Sequence, residues 1–152
     1  MYNSQSYRNG YQNSTSQHRN IPKKVEPLDD LTYVKQAEEV IRAISDEKNK
    51  NDKITSSQIR ILLSLINELY DMIRLDTSEK LSTAVQSHIQ YIKMKICYQA
   101  GRETKVKSFV EQSNLIDYID QVGDSRANLL RFCHYMESLV AFHKYLPYRI
   151  GG

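Results

Sequence analysis

From residue 31 onward, apolar side chains recur every three or four positions, which is the spacing of one face of an α-helix. A polar stretch without apolar residues, SDEKNKNDK, separates the first series from the second. Thr55 followed by Gln58 predicts a capping box at the start of the second helix, and Ser78 is the expected start of the third. The apolar faces of the predicted helices lie within residues 34–44, 59–73, 81–100, 106–110, 115–122 and 129–146.

The last of these segments is apolar on two faces. Leu129, Phe132, Met136 and Leu139 form one face, while residues such as Cys133 add a second. A helix of this kind is usually central in a bundle. No window alternates with the period of two that β-strands require. The sequence therefore predicts an all-α fold, a compact bundle of about five to six helices over residues 31–152.

Residues 1–30 have a different composition. Residues 1–20 are almost entirely Asn, Ser, Gln, Tyr and Arg, and they have too few apolar groups to offset the entropy of ordering. We expect a disordered N-terminal tail, continued to residue 30 by a linker that contains Pro22 and Pro27. The tyrosines of the tail can stack on bases or on a partner, but an inert tail is the favoured interpretation.

Length and charge narrow the class of protein. The 152 residues suit one domain, and no apolar run approaches the roughly 20 residues of a membrane span. The two cysteines form no CxxC motif, which favours a reducing compartment, and we expect a cytoplasmic protein that does not bind membranes. Lys and Arg number 21 against 18 Asp and Glu, and residues 90–152 contain nine basic and six acidic side chains.

Catalytic and metal-binding motifs are absent from the sequence. It contains no HExxH, GxSxG, CxxC or phosphate-binding loop. Cys133 and His143 would lie about 15 Å apart along one helix, which is too far for a nucleophile and its base. We therefore predict no enzymatic activity, no metal, no cofactor and no small-molecule substrate.

Aromatic and basic residues alternate on the third predicted helix. Tyr91, Lys95, Tyr98 and Arg102 follow helical spacing along one flank, and the basic segment GRETKVKS comes directly after them. Such a row can pair cations with phosphates and rings with bases or sugars. Composition alone gives more weight to the alternative, in which the rings pack at the edge of the core and Lys95 extends to solvent.

Three segments resemble one known family. They are FCHYMESLVAFHKY at residues 132–145, CYQAGRETKVKSF at 97–109 and KITSSQIRILLSLINELY at 53–70. The first resembles the F-C-x-Y-x-E-A-L-V-A-Y-H-K-Y signature of the small subunit of type III-A CRISPR effector complexes, the Csm complexes. Ser138 replaces the expected Ala and Phe142 a common Tyr. The resemblance covers residues 31–152, including the terminal Gly151 and Gly152, and nothing carries over to the tail.

This resemblance implies a non-catalytic small-subunit domain that takes part in antiviral defence. Several copies would stack along the filament subunits, contact the large Palm-domain subunit and line the channel that holds guide RNA and target RNA. Cleavage of the target would belong to the filament subunits. The protein would read the RNA backbone and shape, while base pairing reads sequence.

The resemblance and the charge pattern together give nine candidate RNA-binding residues. Those that match basic positions of the family are Lys53, Arg60, Arg102, Lys107 and Lys144. Those chosen from charge alone are Lys95, Lys105, Arg126 and Arg131. A helical adaptor that binds only protein is the main alternative. A helix-turn-helix DNA reader is disfavoured because no helix clusters base-reading Arg, Asn and Gln.

Overall fold

Six helices form the described part of the chain, which is residues 24–46 and 53–146 of a computed structural model. They are α1 (Tyr33–Asp46), α2 (Ser56–Ile73), α3 (Thr83–Arg102), α4 (Thr104–Gln112), α5 (Leu115–Asp120) and α6 (Arg126–Tyr145). The described residues contain no β-strand, so the predicted all-α class is confirmed. The predicted tail over residues 1–20 lies outside the described residues.

Side-chain caps fix where two of the longer helices begin. At α2 the Thr55 hydroxyl accepts a hydrogen bond from the Gln58 backbone N–H, and the Gln58 side chain accepts one from the Thr55 N–H, so the predicted capping box is confirmed. At α6 the Ser125 side chain caps the helix by accepting a hydrogen bond from the Asn128 N–H.

The predicted start of α3 at Ser78 is wrong. The Ser78 N–H donates to the side chain of Asp76 in a local turn, and the N-cap of α3 is Ser82. The residues between Ser78 and Ser82 pair with the loop before α6 and do not form a helical turn. The Leu81 N–H donates to the Asp124 carbonyl over 2.7 Å. Tertiary pairing of the two loops therefore delays the helix by about one turn.

Helix α6 is the centre of the bundle, as its two apolar faces predict. It packs against both α1 and α2 and also contacts α5. Its buried side chains are Leu129, Phe132, Cys133, Tyr135, Met136, Leu139 and His143. Helix α3 packs on α2, α4 and α5, which completes the core on the far side of α2.

Three contacts determine how the helices run relative to one another. At the end of α6, the His143 ring lies 3.2 Å from the Ile54 carbonyl, just before α2. At the start of α6, the Arg126 guanidinium donates to the carbonyl of Ile73, the last residue of α2. These contacts make α2 and α6 antiparallel. Glu68 of α2 and His88 of α3 are 3.1 Å apart, and the short connection makes α3 antiparallel to α2.

The described part of the predicted linker, residues 24–30, lies against the bundle. Val25 and Leu28 pack on the core, and the Val25 carbonyl accepts a hydrogen bond from the Gln121 side chain over 2.8 Å. Asp30 forms an ion pair with Arg131 of α6 over 2.5 Å. Residues as early as Val25 therefore contact the helical bundle. The predicted boundary between tail and bundle domain at residue 31 stays a prediction.

Replacing Tyr135 with Phe tests a buried polar contact of the core. The Tyr135 hydroxyl donates to the Ser113 carbonyl over 2.9 Å, and both residues are buried. Tyr135→Phe leaves that carbonyl without its donor, so we expect a loss of about 1–3 kcal/mol in the free energy of unfolding, measured by urea denaturation. The exposed Tyr145 provides the matched control, and Tyr145→Phe should change this free energy by less than about 0.5 kcal/mol. Equal effects of the two variants would contradict the assignment.

Candidate nucleic-acid interface

One end of the bundle gathers several chain segments that are far apart in sequence. The contact between Ile54 and His143 brings the start of α2 to the end of α6. The Glu68–His88 contact fixes the position of α3 along the axis of α2. Ile54 lies about 20 Å from Glu68 along α2, and Arg102 lies the same distance from His88 along α3, in the same direction because the helices are antiparallel. The end of α3 and the start of α4 therefore lie at the same level as the start of α2.

Six of the nine predicted RNA-binding residues are found at this end. We call this group the basic end, and it consists of Lys53, Arg60, Arg102, Lys105, Lys107 and Lys144. Four of them are exposed, whereas Lys53 and Lys105 are half-buried. The described acidic residues within seven positions of these six cations are Asp46, Glu103, Glu111 and Glu137, so the basic end has a small surplus of positive charge.

Lys53 also has a structural contact. Its ammonium group donates to the Ser45 carbonyl in the last turn of α1 over 2.8 Å. A cation at a helix C-terminus is favoured by the helix dipole. Lys53 therefore ties the end of α1 to the start of α2, in addition to contributing charge.

Arg126 and Arg131 are not brought together with the six residues of the basic end. Arg126 lies at the opposite end of the bundle, where it holds the last carbonyl of α2. Arg131 is one to two turns further along α6, and its guanidinium binds Asp30 and the Asn128 side chain. The hydrogen bond between Arg131 and Asp30 lowers the pKa of Asp30 and raises the pKa of Arg131. Both arginines serve internal contacts in this structure.

The aromatic and basic row on α3 lies at the surface. Its members span roughly 60° of the helix circumference at 3.6 residues per turn. Tyr91 is 46% exposed and Tyr98 62%, so packing of the rings at the edge of the core, which composition favoured, is wrong. The Lys95 ammonium lies 4.5 Å from the centre of the Tyr91 ring, and the Arg102 guanidinium lies 5.5 Å from that of Tyr98. Each cation is within the range of a cation–π interaction.

Sequence reasoning missed the contact that sets the position of this row. The Glu68–His88 pair joins two helices, and the His88 ring also lies 5.7 Å from the Tyr91 ring. An isolated histidine on a polar flank gives no local signal of such a role. The pair becomes visible only once α2 and α3 are placed side by side.

The buried Cys133 thiol is not poised as a nucleophile. Burial raises the pKa of the Cys133 thiol to about 12, so the thiolate nucleophile does not form near neutral pH.

No three His, Cys, Asp or Glu side chains come together as a metal site among residues 24–46 and 53–146. Within the same residues, no helix is long and apolar enough to cross a membrane.

These features define a class of protein, a small helical module with a basic surface and an exposed aromatic row. Residues 30–148 match a family model described as Csm2 Type III-A. The CRISPR system Cms protein Csm2 of Mycobacterium tuberculosis H37Rv is 44% identical over 114 residues, which cover 75% of this chain and 90% of that protein. The protein of the same name from Streptococcus thermophilus is 37% identical over 118 residues, covering 78% and 93%.

A third relative of the same name, from Enterococcus italicus, is 30% identical over 129 residues, covering 80% of this chain and 91% of that protein. The chain therefore belongs to the Csm2 family, the small subunit of the type III-A CRISPR complex, and the resemblance noted in the sequence is confirmed. Membership of this family implies that other Csm subunits are partners.

A histidine within the family signature should make stability depend on pH. Burial lowers the pKa of His143 from its ordinary value of 6.5, although the hydrogen bond to Ile54 opposes the shift. The unfolded chain therefore binds a proton at this imidazole at a higher pH than the folded protein does. Its contribution to stability should be fully present above about pH 6.5 and decline as the pH falls below that value.

The variant His143→Gln tests this dependence because the amide donates a hydrogen bond but does not titrate. We expect the free energy of unfolding to fall less steeply between pH 7 and pH 5 in this variant than in the parent protein. His134→Gln, on the same helix, controls for the loss of one histidine. An unchanged pH slope in His143→Gln would contradict the prediction.

Proposed function

We propose that this chain is a non-catalytic subunit whose basic end contacts the sugar–phosphate backbone of guide RNA and target RNA within the type III-A complex. One observation carries the proposal, namely that six predicted RNA-binding cations from three separate segments of the chain lie at one end of the bundle. Such convergence supports a common ligand of negative charge, and the family supplies an RNA-guided context.

The chemistry of the basic end favours backbone contacts over base recognition. Lysine and arginine side chains bind phosphate without regard to sequence, and guide pairing supplies specificity in RNA-guided systems. At the junction of α3 and α4, no side chain caps the first turn of α4, and Arg102, Lys105 and Lys107 surround this turn in sequence. Uncapped N–H groups at a helix start add to the attraction for phosphate.

The modest charge of the chain predicts weak binding by one copy. About three phosphate contacts on a single strand give a log–log salt slope of only about −2. Several copies would associate with one another, with the filament subunits and with the large Palm-domain subunit. Such an assembly would bind RNA cooperatively, because each bound copy raises the effective concentration of the next. We place this assembly in the prokaryotic cytoplasm, in antiviral defence.

Exposed apolar side chains favour a second candidate, a helical adaptor that contacts protein and not RNA. Leu31 and Leu75 are 93% and 87% exposed, and Ile61 and Met72 of α2 are also exposed. Such side chains suit contacts with other subunits, and both functions can coexist on different faces. The adaptor is the whole function only if the basic end contributes nothing to RNA affinity.

Removing two cations of the basic end tests the proposal. Arg102→Ala combined with Lys107→Ala should weaken binding of target RNA by the assembled complex about ten-fold, since two exposed contacts of about 0.7 kcal/mol each are lost. The salt slope should become shallower by about 1.4, because each phosphate contact on a single strand contributes about 0.7. A filter-binding series over several salt concentrations measures both quantities.

The matched control removes two cations from a different face. Lys35→Ala combined with Arg42→Ala changes the net charge equally, but both residues lie on α1 and Arg42 already pairs with Glu38 over 2.9 Å. This control should leave affinity and slope close to those of the parent complex. If the basic-end variant behaves like the control, the RNA-binding proposal is wrong and the adaptor is favoured.

A further inference from the structure

The exposed ring of Tyr98 differs from the other aromatic side chains of α3 in what surrounds it. Tyr91, one to two turns earlier, lies between two side chains of its own helix, with the Lys95 ammonium 4.5 Å and the His88 ring 5.7 Å from its centre. Tyr98 has Arg102 at 5.5 Å and is 62% exposed. Tyr98 therefore offers more open ring surface than Tyr91.

We infer that Tyr98, supported by Arg102, is a stacking platform for an unpaired base of the bound RNA. The inference rests on the proposed function and goes beyond it, because backbone contacts alone require no ring. An aromatic face stacks on any base, and this contact is worth roughly 1–3 kcal/mol per base without sequence preference. A base within a duplex has its faces covered by its neighbours, so the platform requires an unpaired or terminal nucleotide.

Charge complementarity argues for nucleic acid as the occupant of this flank. Helix α3 has no Asp or Glu among its 20 residues, and this flank contains Lys95 and Arg102, while Lys93 pairs with Asp120 of α5. Arg102 also belongs to the basic end, so phosphates held there place the adjoining bases near the Tyr98 ring. A protein partner of an exposed ring does not require a helix free of carboxylates.

The geometry limits how many bases the row can take. Tyr91 and Tyr98 are seven residues apart, which is about 10 Å along the helix axis. In a stacked strand that distance corresponds to about three nucleotide steps of 3.4 Å. One base cannot contact both rings, and the more open Tyr98 ring is the platform.

A single tryptophan substitution gives a direct readout of stacking. The chain contains no tryptophan, so Tyr98→Trp in the full-length protein places its single tryptophan at the platform, where it can be excited selectively over the tyrosines. Oligouridylate, added at low salt, should quench its fluorescence, whereas an abasic oligoribonucleotide of equal length should bind through its phosphates without quenching. Tyr33→Trp is the control, since the Tyr33 ring lies on α1 beside His134 at 6.4 Å, and oligouridylate should not quench it.

Affinity measurements distinguish the contribution of the aromatic ring of Tyr98 from the contributions of its hydroxyl group and of side-chain size. Tyr98→Leu should weaken binding of oligouridylate about five-fold or more, as expected for the loss of one stacked base, and leave binding of the abasic strand unchanged. Tyr98→Phe keeps the ring and should retain the affinity of the parent protein.

The outcomes distinguish this inference from the proposed function. If both strands bind with equal affinity and neither quenches Tyr98→Trp, the platform is overturned while backbone binding stands. If neither strand binds, the proposed function fails and the platform with it. If Tyr98→Leu leaves RNA affinity unchanged but shifts the sedimentation coefficient to that of a smaller species, the ring is a contact between protein copies and the inference is overturned.

Discussion

Burial of α6 on two faces is the constraint on which the rest of the structure depends. A helix that is apolar on more than one side cannot be covered by a single neighbour, so α1 and α2 both pack against it. Helices α2 and α6 have similar lengths and run antiparallel, with Arg126 holding one end and His143 the other. The Ile54–His143 contact then brings the start of α2, and Lys53 with it, to the end of α6.

The position of the cations follows from the same packing. Core-facing positions of the long helices are apolar except for His143, which leaves the bundle ends and outer flanks for charge. The last turns of α3 and α6 contain Arg102 and Lys144, where the partial negative charge of a helix C-terminus stabilises a cation. These side chains therefore suit the fold by itself. What the helix ends alone do not explain is that Lys144 of α6 lies at the same end of the bundle as Arg102, Lys105 and Lys107, and the proposed contact with an RNA backbone would explain it.

The helices and their buried faces could be predicted from the sequence because helical periodicity and caps are local signals. The capping box at Thr55 and the two apolar faces of α6 are of this kind. Ser78 was misassigned because hydrogen bonds between two loops, distant in sequence, compete with helix formation. The roles of Arg131 and His88 also depend on partners in other segments, Asp30 and Glu68. No local pattern specifies such pairs.

Arg102 links the two surfaces because it belongs both to the basic end and to the aromatic row of α3. A strand whose phosphates follow the basic end can therefore turn its bases toward Tyr98 without leaving the same side of the molecule. Each contact is weak in water, since exposed ion pairs contribute at most about 1 kcal/mol. Under the proposed function, these small terms would add along one RNA strand in a repeated assembly, because binding to the first copy would raise the effective concentration at the next. Neither phosphate contacts nor ring stacking discriminates between bases, so an array of copies acting as proposed would strengthen binding while guide pairing determines the target.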